Sequence, residues 1–236
     1  MSKDETTRDI YNNAIVIDGL NVSNWDSPDV FHSLRNGGIT AINATIATWE
    51  NTQQTLDHIA RWKNRFDEHK SEILQVHSVS DIESAKRDGR TGVILGFQNA
   101  SPIENHLDRL ALFHNLGVRI IQVTYHERNL LGDGCYERSD SGLSNFGLGA
   151  INEMNHLGIL IDLSHVGMTT TMETIEASTK PVACTHANAK SYYDVPRNKA
   201  DEALKLLAEK GGVVGATCIT TFMKTRQAST LEDYTD

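Results

Sequence analysis

The sequence predicts an α/β protein built on a parallel sheet, either covered on both faces or closed into a barrel. Three observations predict it. Short runs of β-type residues alternate with stretches of helical apolar spacing along the whole chain. Those runs are nearly continuous in apolar character, which is the mark of strands buried on both faces. The helical stretches carry start and stop signals that fit crossover connections between parallel neighbours.

In chain order, AIVIDG over residues 14–19 is the first strand and GGITAINATIAT over 37–48 the second. Between them NVSNWDSPDVFHSLRN holds a loop and a helix, with Ser27 as N-cap and Pro28 at the first helical position, where a missing N–H costs nothing. Residues 51–70 place Leu56, Ile59, Ala60 and Phe66 on one face of an amphipathic helix. ILQVHS (73–78) reads as a short extra strand, and 80–89 as a helix with Ser80 and Glu83 in capping-box register. TGVILGFQ (91–98) is a strong strand. Ser101, Pro102 and Glu104 then open a helix that runs to Gly117, a residue that tolerates the positive φ of a helix stop.

VRIIQVTY (118–125) is the next strand, followed by the polar loop HERNLLGDGCYERSDSG. Loops of that length in compact domains are commonly functional or disordered. Helix 144–157 stops at Gly158, strand 158–164 follows, and helix 170–178 has Thr170 and Glu173 in capping register. Strand 181–185, helix 201–210 ended by Gly211, and strand 212–219 complete the series. The main strands begin at residues 14, 38, 92, 118, 159, 181 and 212, with the short one at 73. A closed parallel barrel needs eight. STLEDYTD opens like another capped helix, so a barrel reading expects its last helix and strand to be missing. Nothing divides the chain, and one domain over 1–236 is expected.

A formal net charge of −9, without a run of Lys or Arg, argues against nucleic acid or an anionic membrane as partner. Cys135, Cys184 and Cys218 form no C-x-x-C pair and no disulfide framework, which fits a reducing compartment. The polar N-terminus and the lack of any apolar run near ~20 residues complete the expectation of a cytoplasmic protein.

The segment around which the chemistry gathers is GILIDLSH followed by PVACTH. Two strands each end in a histidine, His165 and His186, 21 residues apart. Side chains at the carboxyl ends of parallel strands face the mouth where ligands bind, so these imidazoles are expected to meet there. Imidazoles brought together by a fold are a metal-ligand arrangement, although each can equally close its own strand with a local hydrogen bond.

GLSNFGLGAINEMNHLGILIDLSHV, then KPVACTHANAK, then PRN before DEALKLLAEKGGVVG, resembles the membrane (renal) dipeptidase family of zinc metallopeptidases. The resemblance implies a (β/α)8 TIM-type barrel of the metal-dependent hydrolase kind, with two zinc ions at the strand ends and hydrolysis of dipeptides or related amides. It also implies a homodimer. By the same resemblance His165 and His186 match two histidine ligands, and Arg197 matches the arginine that grips the substrate carboxylate. A guanidinium suits that task because it can pair with a carboxylate through two parallel bonds.

Other positions depart from the family. Its His-x-Asp pair falls on Leu20 and Val22, which cannot bind metal. Its bridging glutamate falls on Gln98, followed by Asn99, and a neutral amide oxygen is a poor donor to a transition metal. Its substrate-binding histidine falls on Tyr125, with His126 next, and its last-strand aspartate would lie beyond Asp236. The expectation is therefore a dipeptidase-like hydrolase with one zinc ion at most, or none, held by His165 and His186 with Gln98 or solvent. Arg197, Asn99 and Tyr125 would bind substrate. Tyr125 would donate to an oxyanion, and His126, Glu127 and Asp18 are candidate bases. The alternatives are a different enzyme on the same barrel and a non-catalytic binding protein.

Overall fold

Every position of β2 (Ala41–Ala47) and β4 (Thr91–Phe97) except Thr45 is buried, as expected of strands covered on both faces. These two pair in parallel along their lengths in the computed structural model, which describes residues 3–235. The remaining strands are β1 (Ile17–Asn21), β3 (Ile73–Gln75), β5 (Val118–Gln122), β6 (Leu160–Asp162), β7 (Ala183–Cys184) and β8 (Val213–Val214). The sheet runs β1-β2-β4-β5-β6-β7-β8, all parallel. One edge of β4 is divided: Thr91–Val93 pair with β3, and Leu95–Phe97 pair with β5. The sheet curls into a half-barrel, far enough that Gly19 on β1 lies against the carbonyl of Thr185 just beyond β7.

The helices are α1 (Lys3–Asn13), α2 (Asp29–Asn36), α3 (Thr52–Glu68), α4 (Val79–Asp88), α5 (Asp108–Asn115), α6 (Asn145–Leu157), α7 (Met168–Ala177), α8 (Asp201–Glu209) and α9 (Leu231–Thr235). Most connect successive strands and bury an apolar face on the sheet, where Phe31, Trp62, Phe97, Phe113 and Ile121 join one core. No helix among the described residues is long and apolar enough to cross a membrane.

Several local expectations change for identifiable reasons. The polar helix α1 has no apolar spacing to announce it, and it docks through the Tyr11 hydroxyl, which donates to the Gly37 carbonyl at 2.6 Å. Pro28 is the N-cap of α2 and not its first helical residue. The capping box of α4 is Ser78 with Asp81, because Val79 already has helical geometry. The helix expected from Ser101 is broken: a 3-10 turn (Ser101–Ile103) ends at Glu104, whose φ of 51° leaves the helical region. The Glu104 carboxylate then pairs with Arg109 at 2.6 Å, and α5 starts afresh at Asp108. Gly158 closes α6 as expected, at φ 76°.

Strands β6 and β7 are shorter than their apolar runs. The amides of Ser164 and Thr185, which would extend the ladder, donate instead to Asp162 Oδ1, each at 3.0 Å. The strand ends are thereby turned away from the sheet and toward the mouth, where the site lies.

Candidate functional site

His165 and His186 meet as their strand-end positions require, with their Nε2 atoms 2.7 Å apart. His126, which follows β5, joins them from the other side, its Nδ1 3.3 Å from His165 Nδ1 and 3.5 Å from Cys135 Sγ. His126 takes a φ of 63°, and the neighbouring Gly134 lies so close to its backbone that any side chain there would strike the His126 carbonyl. The sharp turn after Tyr125 therefore depends on a residue from the middle of the long loop.

Asp162 orders this row of rings. Its Oδ1 accepts from the Ser164 hydroxyl at 2.6 Å as well as from the two amides, and its Oδ2 accepts from the Thr185 hydroxyl at 2.6 Å. Thr185 has thus given its hydrogen to the carboxylate, and the 2.8 Å contact between Thr185 Oγ1 and His186 Nδ1 must be donated by His186. His186 Nε2 is then an acceptor, so His165 donates from Nε2 and accepts at Nδ1, and His126 donates to it from Nδ1. The lone pair left over is on His126 Nε2.

These assignments require neutral rings, and the surroundings make them so. Burial first, and then the nearby Arg197 charge, push His126 down to about 4 and His165 far lower. His186 is lowered chiefly by burial, against the pull of Asp162. The 4.0 Å approach of His186 Nδ1 to Asp162 Oδ2 is consequently no ion pair, and the Thr185 hydroxyl mediates between them.

Arg197 is fully buried. Its Nη2 donates to the His186 carbonyl at 2.5 Å, while Nε and Nη1 have no partner among the described residues. The Phe222 ring covers the guanidinium at 5.3 Å. Lys199, also buried, donates to the Val166 carbonyl at 2.7 Å and to Thr171 Oγ1 at 3.1 Å, and burial lowers it to about 8. Tyr125 stacks on His165 with ring centres 4.2 Å apart, and burial raises its hydroxyl pKa, so it remains a donor.

The other expected residues stand apart from the imidazoles. The Gln98 amide donates to Thr45 Oγ1 at 3.0 Å, and Asn99 accepts from Asn129 Nδ2 at 2.9 Å. Neither has a hydrogen bond to His165 or His186. Of the alternative bases, Asp18 is held by Asn21 Nδ2 at 2.8 Å. Leu20 is half-buried and Val22 exposed. Three participants were not read from the sequence as parts of the site. Asp162 lies inside the quoted DLSH block, Thr185 directly precedes His186, and Cys135 lies in the loop, where only its length was a signal.

The donor set can be tested against a metal. Two nitrogens in a tetrahedral zinc shell stand ~3.3 Å apart, given bonds of ~2.0–2.1 Å. The two Nε2 atoms would have to part somewhat from 2.7 Å, and His165 would have to surrender its Nε2 proton. So adjusted, the pair fits one ion of the zinc type as two of its ligands. Among the described residues no carboxylate bridges the two imidazoles, and no three His, Cys, Asp or Glu side chains converge as a metal group.

Comparison with known proteins gives the fold and the family. The chain aligns with an amidohydrolase from Pseudomonas aeruginosa at 42% identity and a TM-score of 0.93, over 96% of this chain and 69% of that one. A metallo peptidase from Rhodobacter sphaeroides, crystallised with a phosphinate mimic of the dipeptide L-Ala-D-Ala, matches at 20% identity with a TM-score of 0.82 over 92% of this chain and 78% of that one, which shows the fold alone. The dipeptidase verJ of Clonostachys rogersoniana is 28% identical over 175 residues, 73% of this chain, and the chain spans 45% of that protein's length. The fold is thus the TIM-type barrel architecture of these proteins. The family model for membrane dipeptidase (peptidase family M19) matches residues 7–236, and the chain belongs to that family.

Proposed function

We propose that this chain is a dipeptidase-like hydrolase that cleaves a dipeptide or small amide bearing a free carboxylate, with at most one metal ion at His165 and His186. The observation that carries the reading is the buried guanidinium of Arg197, with two nitrogens unpaired, beside a row of neutral imidazoles. A buried cation with spare donors is costly alone and becomes favourable when a carboxylate arrives to use them. Reaching Arg197 requires the 3-10 turn Thr220–Phe222 to yield, since Phe222 covers it.

Binding a carboxylate there would also prepare the base. The Arg197 charge is one of the two causes that depress His126, so neutralising it raises the proton affinity of that ring. In the metal-free site His126 Nε2 carries the free lone pair of the row and is the base we assign, and the Tyr125 hydroxyl would donate to a developing oxyanion. Asn99 would contact the substrate and Gln98 would lie behind it, joined to Thr45. An ion of the zinc type bound by His165 and His186 would supply polarisation of the scissile carbonyl; it would also turn the row, leaving the hydrogen of His165 on Nδ1 and that of His126 on Nε2, so the base role of His126 belongs to the metal-free site.

A second reading, a non-catalytic binding protein on this barrel, is favoured by the direct imidazole contact and the hydrophobic Leu20 and Val22. One experiment separates the two. Hydrolysis of a dipeptide panel is measured together with zinc content by elemental analysis, in the wild type and in Arg197→Lys. The hydrolase reading expects turnover, zinc at or below one equivalent, and a KM raised at least about tenfold by Arg197→Lys. Binding of dipeptides without turnover under any metal supplement sinks it.

A further inference from the structure

Trp25 and Trp62 pack together in the core, with ring centres 5.1 Å apart, but Trp49 is 60% exposed. Its loop is not loose. The Glu50 carboxylate accepts from the amides of Thr48 at 2.6 Å and Trp49 at 3.0 Å, and the Ser101 hydroxyl reaches the carbonyls of Thr48 at 3.4 Å and Glu50 at 3.2 Å. A large aromatic ring is therefore held out toward water on a fixed backbone. A single exposed apolar side chain is ordinary on a protein surface, and what distinguishes Trp49 is its fixed position beside the site.

The ring is displayed at the site's rim. Trp49 meets Tyr125 edge-on, with centres 5.2 Å apart at 80°, and Tyr125 in turn stacks on His165. Tyr136, 49% exposed, lies 4.8 Å from the His126 ring. Trp49 and Arg197 both border the imidazoles, Trp49 through Tyr125 on His165 and Arg197 through the carbonyl of His186. A substrate whose carboxylate is held at Arg197 and whose amide lies over the imidazoles would extend its amino-side residue toward Tyr125 and the tryptophan.

We propose that Trp49 and Tyr136 form an aromatic rim that selects substrates whose amino-side residue carries an aromatic or bulky apolar side chain. This rests on the hydrolase reading and adds the substrate class to it. A substrate ring set edge-on or offset against the indole, at the ~4.5–7 Å typical of aromatic pairs, would gain the stacking energy that an aliphatic stub cannot.

The test compares Phe-Ala with Gly-Ala on the full chain, measuring calorimetric binding and kcat/KM in the wild type, Trp49→Ala, Trp49→Phe and Tyr136→Ala. The wild type should favour Phe-Ala. Trp49→Ala should cut the Phe-Ala to Gly-Ala ratio about tenfold, and Trp49→Phe should restore most of it. Tyr136→Ala should reduce the ratio in the same direction. Cleavage of both dipeptides with no preference overturns the rim and leaves the hydrolase standing. Preferential binding of Phe-Ala, lost in Trp49→Ala and without cleavage, supports the rim and removes the hydrolase. Failure to bind either dipeptide overturns the rim.

Discussion

His126, His165 and His186 all have folded-state proton affinities below the ordinary histidine value of 6.5, His126 reaching about 4. A group depressed on folding contributes stability that is present above its unfolded pKa and lost as pH falls through its folded pKa. These rings therefore favour the folded state above about pH 6.5, and this contribution declines as pH falls toward 4. Urea midpoints measured at pH 7 and pH 4.5 should show the fall, and His126→Gln should make it smaller. Equal falls in both proteins would assign the acid sensitivity to other groups.

At the scale of the elements, the long loop after β5 is a structural part of α7. Asp140 accepts from the amides of Thr169 and Thr170 and from the Thr170 hydroxyl, so the helix N-terminus is capped by a residue remote in sequence. Asp140→Ala should cost ~1–2 kcal/mol through the lost cap and helix-dipole interaction. For a chain of this size that is a melting temperature lower by about 3–6 °C in calorimetry. An unchanged melting temperature would show that the amides find other partners.

That cap also shows what could be read from the chain alone. The alternation of parallel strands with helices and the meeting of His165 with His186 follow from local apolar runs and from the rule that strand ends face one mouth, whereas the polar α1 and the break after Ser101 do not. Thr170 looked like an N-cap because capping signals are usually local, while the true partner arrives from 30 residues away. Glu173, expected as its capping partner, instead accepts from the Leu143 amide at 2.7 Å. The tie between His126 and Gly134, and the role of Asp162 beneath the imidazoles, likewise depend on tertiary contacts that no spacing announces.

For the molecule as a whole, the fully buried Lys199 couples global stability to alkaline pH. Burial lowers it from 10.5 to about 8, so between those values the unfolded chain holds a proton that the folded one has released. Stability should therefore rise between about pH 8 and 10.5, by ~3 kcal/mol if Lys199 acted alone. Denaturant titrations of the wild type and Lys199→Met across that range check it: the mutant curve should be flatter, and parallel curves would refute the assignment.

The row from Asp162 to His126 has one further consequence. Each ring gives its hydrogen in the same sense, so the row has a direction, and no member can be reversed alone without leaving two hydrogens or two lone pairs face to face. A hydroxyl at Thr185 that ceased to donate to Asp162 would release the first ring, and the choice would pass down the line. Information about a carboxylate sealed beneath the strand ends would then arrive at the far imidazole as a change in which nitrogen is bare, with no heavy atom displaced.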